Sequence, residues 1–299
     1  MSETLEHRVA AQLSTQVDAA ATAFAQHLVA DGEARAVLFY GSNLRTGSRE
    51  GVLDFYILLD GDQREKIWPR VSYHEWEFEG EVLRAKAATM ALRTFVSAAR
   101  GELRDTTIWA RFVQPSALVW RRDEQSAQLV RDAIGEAAQT AARLAVAIGP
   151  PSGTAEDFWR ALFRATYKAE FRVEKPGRED AILSVNAAHF DGLLPLALAA
   201  QGIAIKREAD RLIPQLAARQ ARSIRRWWSR RRLIGKPLNL LRLAKASTTF
   251  EGAARYAAWK IERHTGVAME VTPFREKYPL LAAPGVLWEL WRAKRSANS

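Results

Sequence analysis

The sequence contains no cysteine. A disulfide framework, a thiolate metal site and a cysteine nucleophile are therefore excluded. It also lacks any apolar run near the roughly 18 residues that cross a bilayer, and its opening, MSETLEHRVAAQLSTQ, mixes acids with polar residues where a signal peptide has an apolar core. The chain is expected to stay on the side where it is made, cytoplasmic, with any membrane contact peripheral and at the inner face. The five histidines show no metal-ligand spacing. A third lack is local: from Arg211 to Phe250 there is no Asp or Glu, against eleven Lys or Arg, so this one segment accounts for the net charge of +10. Its expected partner is polyanionic.

With 299 residues, 48% of them hydrophobic, the chain can bury one sizeable core or two smaller ones. Residues 4–30 repeat apolar positions at helical spacing, DGEAR breaks the helix, and AVLFY reads as a strand. VLDFYILL is a second strand by its β-branched and aromatic content. HEWEFEGEVLRAKAA alternates around Gly80 and predicts a hairpin. Helical patterns follow at 90–100, 123–148, 154–170 and 180–200. GPPSG at 149–153 is a linker, with Thr154 placed to cap the next helix. The expected divisions are 1–120, an α/β domain; 121–210, a helical domain; and 211–299, a basic amphipathic region interrupted at Gly235-Lys236-Pro237. No internal repeat or low-complexity tract is present.

The stretch FYGSNLRTGSREGVLDFYILLDGD carries the chemistry. A Gly-Ser turn at a strand end exposes backbone N–H groups to a phosphate, Gly41 lets the backbone approach, and Ser42 adds a hydroxyl. An acid on the neighbouring strand, Asp54, is placed to hold a divalent cation against the same phosphates, the pairing that nucleotidyl transfer uses. This is the pattern of the nucleotidyltransferase fold: α+β, a mixed sheet flanked by helices, here followed by a mainly helical part. One position departs from it, because Tyr56 stands where the second acid usually sits. Asp60 shares the parity of Asp54, but six strand residues span about 20 Å, so the two meet at one ion only if the chain bends. Glu79 and Glu81 are other sources of charge. The structural alternative is a buried Asp54 paired with an arginine.

The missing acid fits one branch. FYGSN…VLDFYILLDGD resembles the mitochondrial phosphatidate cytidylyltransferase family, the translocator assembly and maintenance proteins, through Tyr40, Gly41, Ser42, Leu53, Asp54, Phe55 and Asp60. In the same order, GEVLRAKAATM is similar to that family's strand with a basic residue, here Arg84 or Lys86. WARFVQP matches at Arg111, Gln114 and Pro115, ATYKAEFRVE at Tyr167, Glu170, Phe171 and Arg172, and NAAHFDGL at His189 and Phe190. The resemblance covers about residues 36–265. It departs at Asn43, where the family has glycine, at Trp68-Pro69, and in a shorter loop before Asp54.

The resemblance implies CTP and phosphatidate as substrates, CDP-diacylglycerol and pyrophosphate as products, and Mg²⁺ as cofactor. Tyr40, Gly41 and Ser42 would hold the nucleotide, Asp54 and Asp60 the metal, and Arg84, Lys86, Arg111 and Arg172 the phosphates. A lipid phosphate is already anionic near neutral pH, so positioning and charge neutralisation would suffice without a strong base. Other readings are transfer to a non-lipid acceptor, or a nucleotide- or nucleic-acid-binding module without catalysis. His189 reads as structural.

In the basic segment, Ile224, Trp227 and Trp228 fall on one helical face with arginines around it, which suits an anionic membrane surface. The same pattern fits a packed helix whose tryptophans fill the core. Nucleic acid is disfavoured, since the aromatics are paired on a helix and not spread over a sheet. The tail, with Leu287, Trp288, Leu290 and Trp291 beside Arg292, Lys294 and Arg295, reads as a second interfacial anchor or a docked helix.

Overall fold

The computed structural model describes residues 3–169, 177–277, 282, 284–286, 288–289 and 291–292. Two helices, α1 (Leu5–Leu13) and α2 (Ala19–Leu28), lead into β1 (Ala34–Tyr40), the short α3 (Ser42–Thr46) and β2 (Leu53–Leu59). A hairpin, β3 (Arg70–Phe78) and β4 (Glu81–Ala91), is followed by α4 (Leu92–Ala99), α5 (Thr107–Phe112) and β5 (Ser116–Arg121). The helices α6 (Glu124–Ile148), α7 (Ala155–Ala169), α8 (Arg178–Val185), α9 (Ala187–Phe190) and α10 (Leu193–Ala199) come next. A two-stranded ribbon, β6 (Ile205–Glu208) and β7 (Arg211–Pro214), precedes α11 (Ala218–Thr249), α12 (Ala253–Thr265) and α13 (Pro273–Lys277).

The main sheet has the order β3-β4-β2-β1-β5, with β2 and β4 parallel and every other pair antiparallel. The fold is the expected α+β, a mixed sheet between helices. Strand alternation sends successive side chains to opposite faces. Leu38, Tyr56, Leu58, Ala88 and Met90 enter the larger core with α1, α4, α5, α6 and α7, while Val37, Phe39, Phe55 and Ala87 pack with Phe24 and Ala21 of α2. The β3–β4 hairpin closes through Glu79 and Gly80, both at positive φ (53° and 81°), as a two-residue turn requires.

Asp123 caps α6, its carboxylate accepting from Ser126 N at 2.7 Å, and the alanine-rich buried face lets α7, α10 and α11 approach closely. Thr154 caps α7 as expected, and Asp157 reaches back to Thr154 N at 2.9 Å, a reciprocal capping pair. The divisions near 120 and 150 do not separate cores: one continuous cluster runs from Leu5 through α6 and α7 to Trp228.

Two expectations for the basic segment change. Gly235-Lys236-Pro237 does not interrupt it; α11 runs through Pro237. A proline removes the hydrogen bond to the carbonyl four residues back, here that of the exposed Leu233, which solvent can satisfy. Gly235 has a different task, because a Cβ there would lie 2.4 Å from the Ala169 carbonyl oxygen, so glycine permits α11 to cross the end of α7. The tryptophans also turn inward. Trp228 is 6% exposed, and Trp227 donates its indole N–H to Gly101 O at 3.1 Å. The face expected at a membrane is thus interior packing, set against Trp109 with tilted and edge-to-face rings.

Candidate functional site

Register brings the chemistry into one row. Tyr40 at the end of β1 stands opposite Asp54 of β2, Asp54 beside Lys86 of β4, and Lys86 opposite Tyr73 of β3. Directly opposed residues share a face, so these four side chains project to the same side. Further along that face, Tyr56 is sealed beneath Phe95 and Phe112, whereas Asp54 and Lys86 are only half-buried. The row therefore marks where the covered part of the sheet gives way to half-buried polar side chains, the candidate cleft.

Gly41 makes the turn out of β1 at φ +92°, and a Cβ added there would stand 2.9 Å from Asp54 Oδ2. Only a glycine lets this backbone lie against the carboxylate. Ser42 follows as the exposed first residue of α3, its hydroxyl directed to Asn43 Oδ1 at 3.3 Å. Asn43, buried, donates to Ser48 O at 2.9 Å and Glu50 O at 2.7 Å, pinning the loop that returns to β2. Its role was not legible in the sequence.

From α5, whose Ile108, Trp109 and Phe112 anchor in the core, Arg111 donates to Tyr40 Oη at 2.9 Å with its guanidinium 5.1 Å from the Tyr40 ring. Burial raises the Asp54 carboxyl above the ordinary carboxylate value, opposed by the charges of Lys86 and then Arg111. Burial lowers Lys86, Asp54 pulls it back up, and Arg111 and Lys260 push it down. Burial likewise raises Tyr40 and Tyr56, which remain neutral phenols. Among the described residues, neither Asp54 nor Lys86 has a hydrogen bond or an ion pair. The pairing of Asp54 with an arginine that would make it merely structural is absent among those residues.

Two expected site residues stand elsewhere. Asp60 lies beyond the opposite end of the extended β2, exposed and paired with Arg122 Nη1 at 3.1 Å and Arg35 Nη1 at 3.5 Å, so it does not share an ion with Asp54. Arg84 shares the face of Lys86 but is held by Glu75 Oε1 at 3.3 Å and the Trp259 ring at 5.5 Å. Its role is to seat α12. Arg172, with Glu170 and Phe171, lies outside the described residues. Glu79 and Glu81 reach Arg49 at 3.6 and 3.7 Å. His189 donates from Nε2 to Val113 O at 2.8 Å in a half-buried position, a structural placement.

The donor set decides what a metal would find. Among the described residues no group of three His, Asp or Glu side chains converges, and Tyr56 is buried, so an all-protein metal centre does not fit. A lone, half-buried carboxylate without a protein partner does fit Mg²⁺ that brings phosphate oxygens and water as its remaining ligands. Asp54 would be its one protein ligand.

The stripe that sequence reasoning did not single out lies on α12. Its Tyr256, Trp259, Lys260 and Arg263 recur at i, i+3, i+4 and i+7, a stripe visible in the sequence once the helix is known.

No protein-family model matches the chain, and no curated protein sequence does. Among solved structures, the chain is similar to a nucleotidyltransferase-like protein from Exiguobacterium sibiricum, at 11% identity and a TM-score of 0.27, covering 82% of this chain and 79% of that one. At that score the likeness carries no argument, and the reading of the site rests on its own geometry.

Proposed function

We propose that the cleft binds a nucleoside triphosphate and transfers its nucleotidyl group to an acceptor oxygen. The carrying observation is the row in which one unpartnered carboxylate, Asp54, sits between Lys86 and Arg111 with the Gly41 backbone against it. Lys86, which has no hydrogen bond or ion pair among the described residues, offers a cation that suits a polyphosphate better than a neutral ligand. In the reaction, the acceptor oxygen bonds to the α-phosphorus, the bond to the bridging oxygen breaks, and pyrophosphate leaves with the electron pair. Lys86 and Arg111 pair with phosphate oxygens and offset the charge that develops on them. Gly41 and Ser42 offer donors on the near side of the phosphates, and Arg111 holds Tyr40 in place. Mg²⁺, when bound with the nucleotide, supplies Lewis-acid polarisation of the phosphates.

The finer reading follows from the resemblance: CTP as donor, and phosphatidate or a related lipid phosphate as acceptor. A lipid acceptor requires contact with a bilayer. In place of the buried tryptophan face, α11 offers Leu233, Leu240 and Leu241, 74%, 59% and 55% exposed, at i, i+7 and i+8 among Arg226, Arg230, Arg232 and Lys236. An apolar stripe ringed by arginines suits an anionic leaflet, at roughly 1 kcal/mol for each basic residue near the surface. The enzyme would then work at the cytoplasmic face.

Incubating the purified chain with each nucleoside triphosphate, Mg²⁺ and phosphatidate vesicles tests this. CTP is expected to yield pyrophosphate and a cytidylylated lipid, both lost in Asp54→Ala. No pyrophosphate from any nucleotide with either a lipid or a soluble phosphate acceptor would contradict the proposal.

A further inference from the structure

The C-terminal part of the chain is fastened over the candidate site and not merely beside it. Tyr73 N, on the outer edge of β3, donates to Glu251 O at 2.8 Å, extending the sheet by one bridge outside its named strands. Gly252 follows at φ +77°, where a Cβ would stand 2.7 Å from Tyr73 O; the contact is close enough to demand glycine. From that fixed point α12 starts back across the same row that holds Lys86 and Asp54. Tyr256 meets the Tyr73 ring at 5.3 Å, and Trp259 takes the Arg84 guanidinium at 5.5 Å, so two contacts set the helix's rotation.

Fixed in that rotation, the helix delivers charge. Lys260 lies over Tyr256 with Nζ 5.8 Å from the ring, close enough to Lys86 to disfavour its protonation. One turn on, Arg263 rests on Trp259 at 5.4 Å and brings Nη1 to 3.0 Å from where a Gly51 Cβ would be, above the loop that joins α3 to β2. Neither cation has a hydrogen bond or ion pair among the described residues, and both are exposed. Lys86 on the sheet, beside Asp54, and Lys260 and Arg263 on the helix above it thus bring three cations together. Like charges held together repel, and an anion between them relieves that repulsion.

We propose that Lys260 and Arg263 of α12 bind the phosphate chain of a nucleoside triphosphate from the side opposite the sheet, making the C-terminal region an integral wall of the site. The inference rests on the cleft being a triphosphate site, and it adds residues from a part of the chain where the function would otherwise place only a membrane contact. Inorganic tripolyphosphate is the probe, because it carries the phosphate charge without a base.

Titration calorimetry on the full chain at low salt should give tight binding by the wild type and a loss of about tenfold or more in Lys260→Gln/Arg263→Gln. Arg121→Gln/Arg207→Gln, which removes two exposed cations outside the cleft, should stay within about twofold. The substituted side chains are exposed, and unchanged circular dichroism and Tm would verify the fold. If Lys260→Gln/Arg263→Gln binds like the wild type while Lys86→Ala loses its affinity, the wall falls and the triphosphate site stands. If Lys86→Ala also binds like the wild type, or the wild type does not bind, the site itself falls. Equal losses in the two double variants would mean diffuse charge attraction and would also overturn the inference.

Discussion

Two regions of this molecule are rich in cations, and they use them in opposite ways. On the inner face of α11 two guanidinium groups, those of Arg231 and Arg242, are consumed by the fold. Arg231, 8% exposed, donates to Gly101 O at 2.6 Å and Leu103 O at 2.8 Å and lies 4.0 Å over the Trp227 ring; burial draws its pKa down to about 10. Arg242 is bound to Asp105 Oδ1 at 2.6 Å and Trp68 O at 2.9 Å. In the cleft, Lys86, Lys260 and Arg263 have no such partners among the described residues. The number of charges does not distinguish a structural region from a binding region. What distinguishes them is whether the chain itself has supplied the counter-charge.

That contrast can be broken by exchanging the two kinds of residue. Asp54→Ala and Lys86→Ala should each cut pyrophosphate formation by roughly 10²–10³-fold while leaving Tm almost unchanged, since both side chains are half-buried and make no hydrogen bond or ion pair among the described residues. In α11 the effects should reverse. Trp228→Ala, which empties a buried indole site beside Trp109, should cost about 3–5 kcal/mol of stability by denaturant unfolding. Arg231→Met leaves several buried carbonyls without a donor and should cost about 1–3 kcal/mol. A loss of binding without a loss of stability in either α11 variant would erase the distinction.

The smallest effect concerns protons. Burial holds His189, against Val113 O, and His74, beside Ser72, below the ordinary histidine value of 6.5. In the unfolded chain both take up a proton near that pH, whereas in the fold they resist it. Their contribution is therefore nil above about pH 7, and stability declines as pH falls through 6.5 towards the depressed folded values. Unfolding curves for His189→Gln at pH 7.5 and 5.5 should show a shallower decline than the wild type; an equal decline would remove His189 from the account.

Much of this was written in local sequence. The hairpin at Gly80, the strand VLDFYILL and the capping Thr154 follow from turn and cap chemistry within a few residues, and the row of Tyr40, Asp54 and Lys86 from strands whose motif residues were each visible. What failed depended on distant partners. The pattern Ile224, Trp227, Trp228 describes an apolar face but does not say what covers it, and the answer, Gly101 and Trp109, lies more than a hundred residues away. Pro237 read as a break because a local rule was applied where the freed carbonyl faces solvent. Asp60 shared the parity of Asp54, yet parity carries no information on distance along the strand. Arg84 and α12 were hidden for the reverse reason: Trp259 and Glu251 assign them their places only after β3 has formed an edge for residue 251 to pair with.

The central claim is that Asp54 and Lys86 stand in a triphosphate site. Equilibrium binding of CTP and ATP to the wild type, Asp54→Asn and Lys86→Met, with and without Mg²⁺, tests it most directly. The account predicts loss of about tenfold or more in Lys86→Met under both conditions, and a Mg²⁺-dependent gain in affinity that disappears in Asp54→Asn. Affinities in both variants indistinguishable from the wild type, with the Mg²⁺ gain retained in Asp54→Asn, would contradict it.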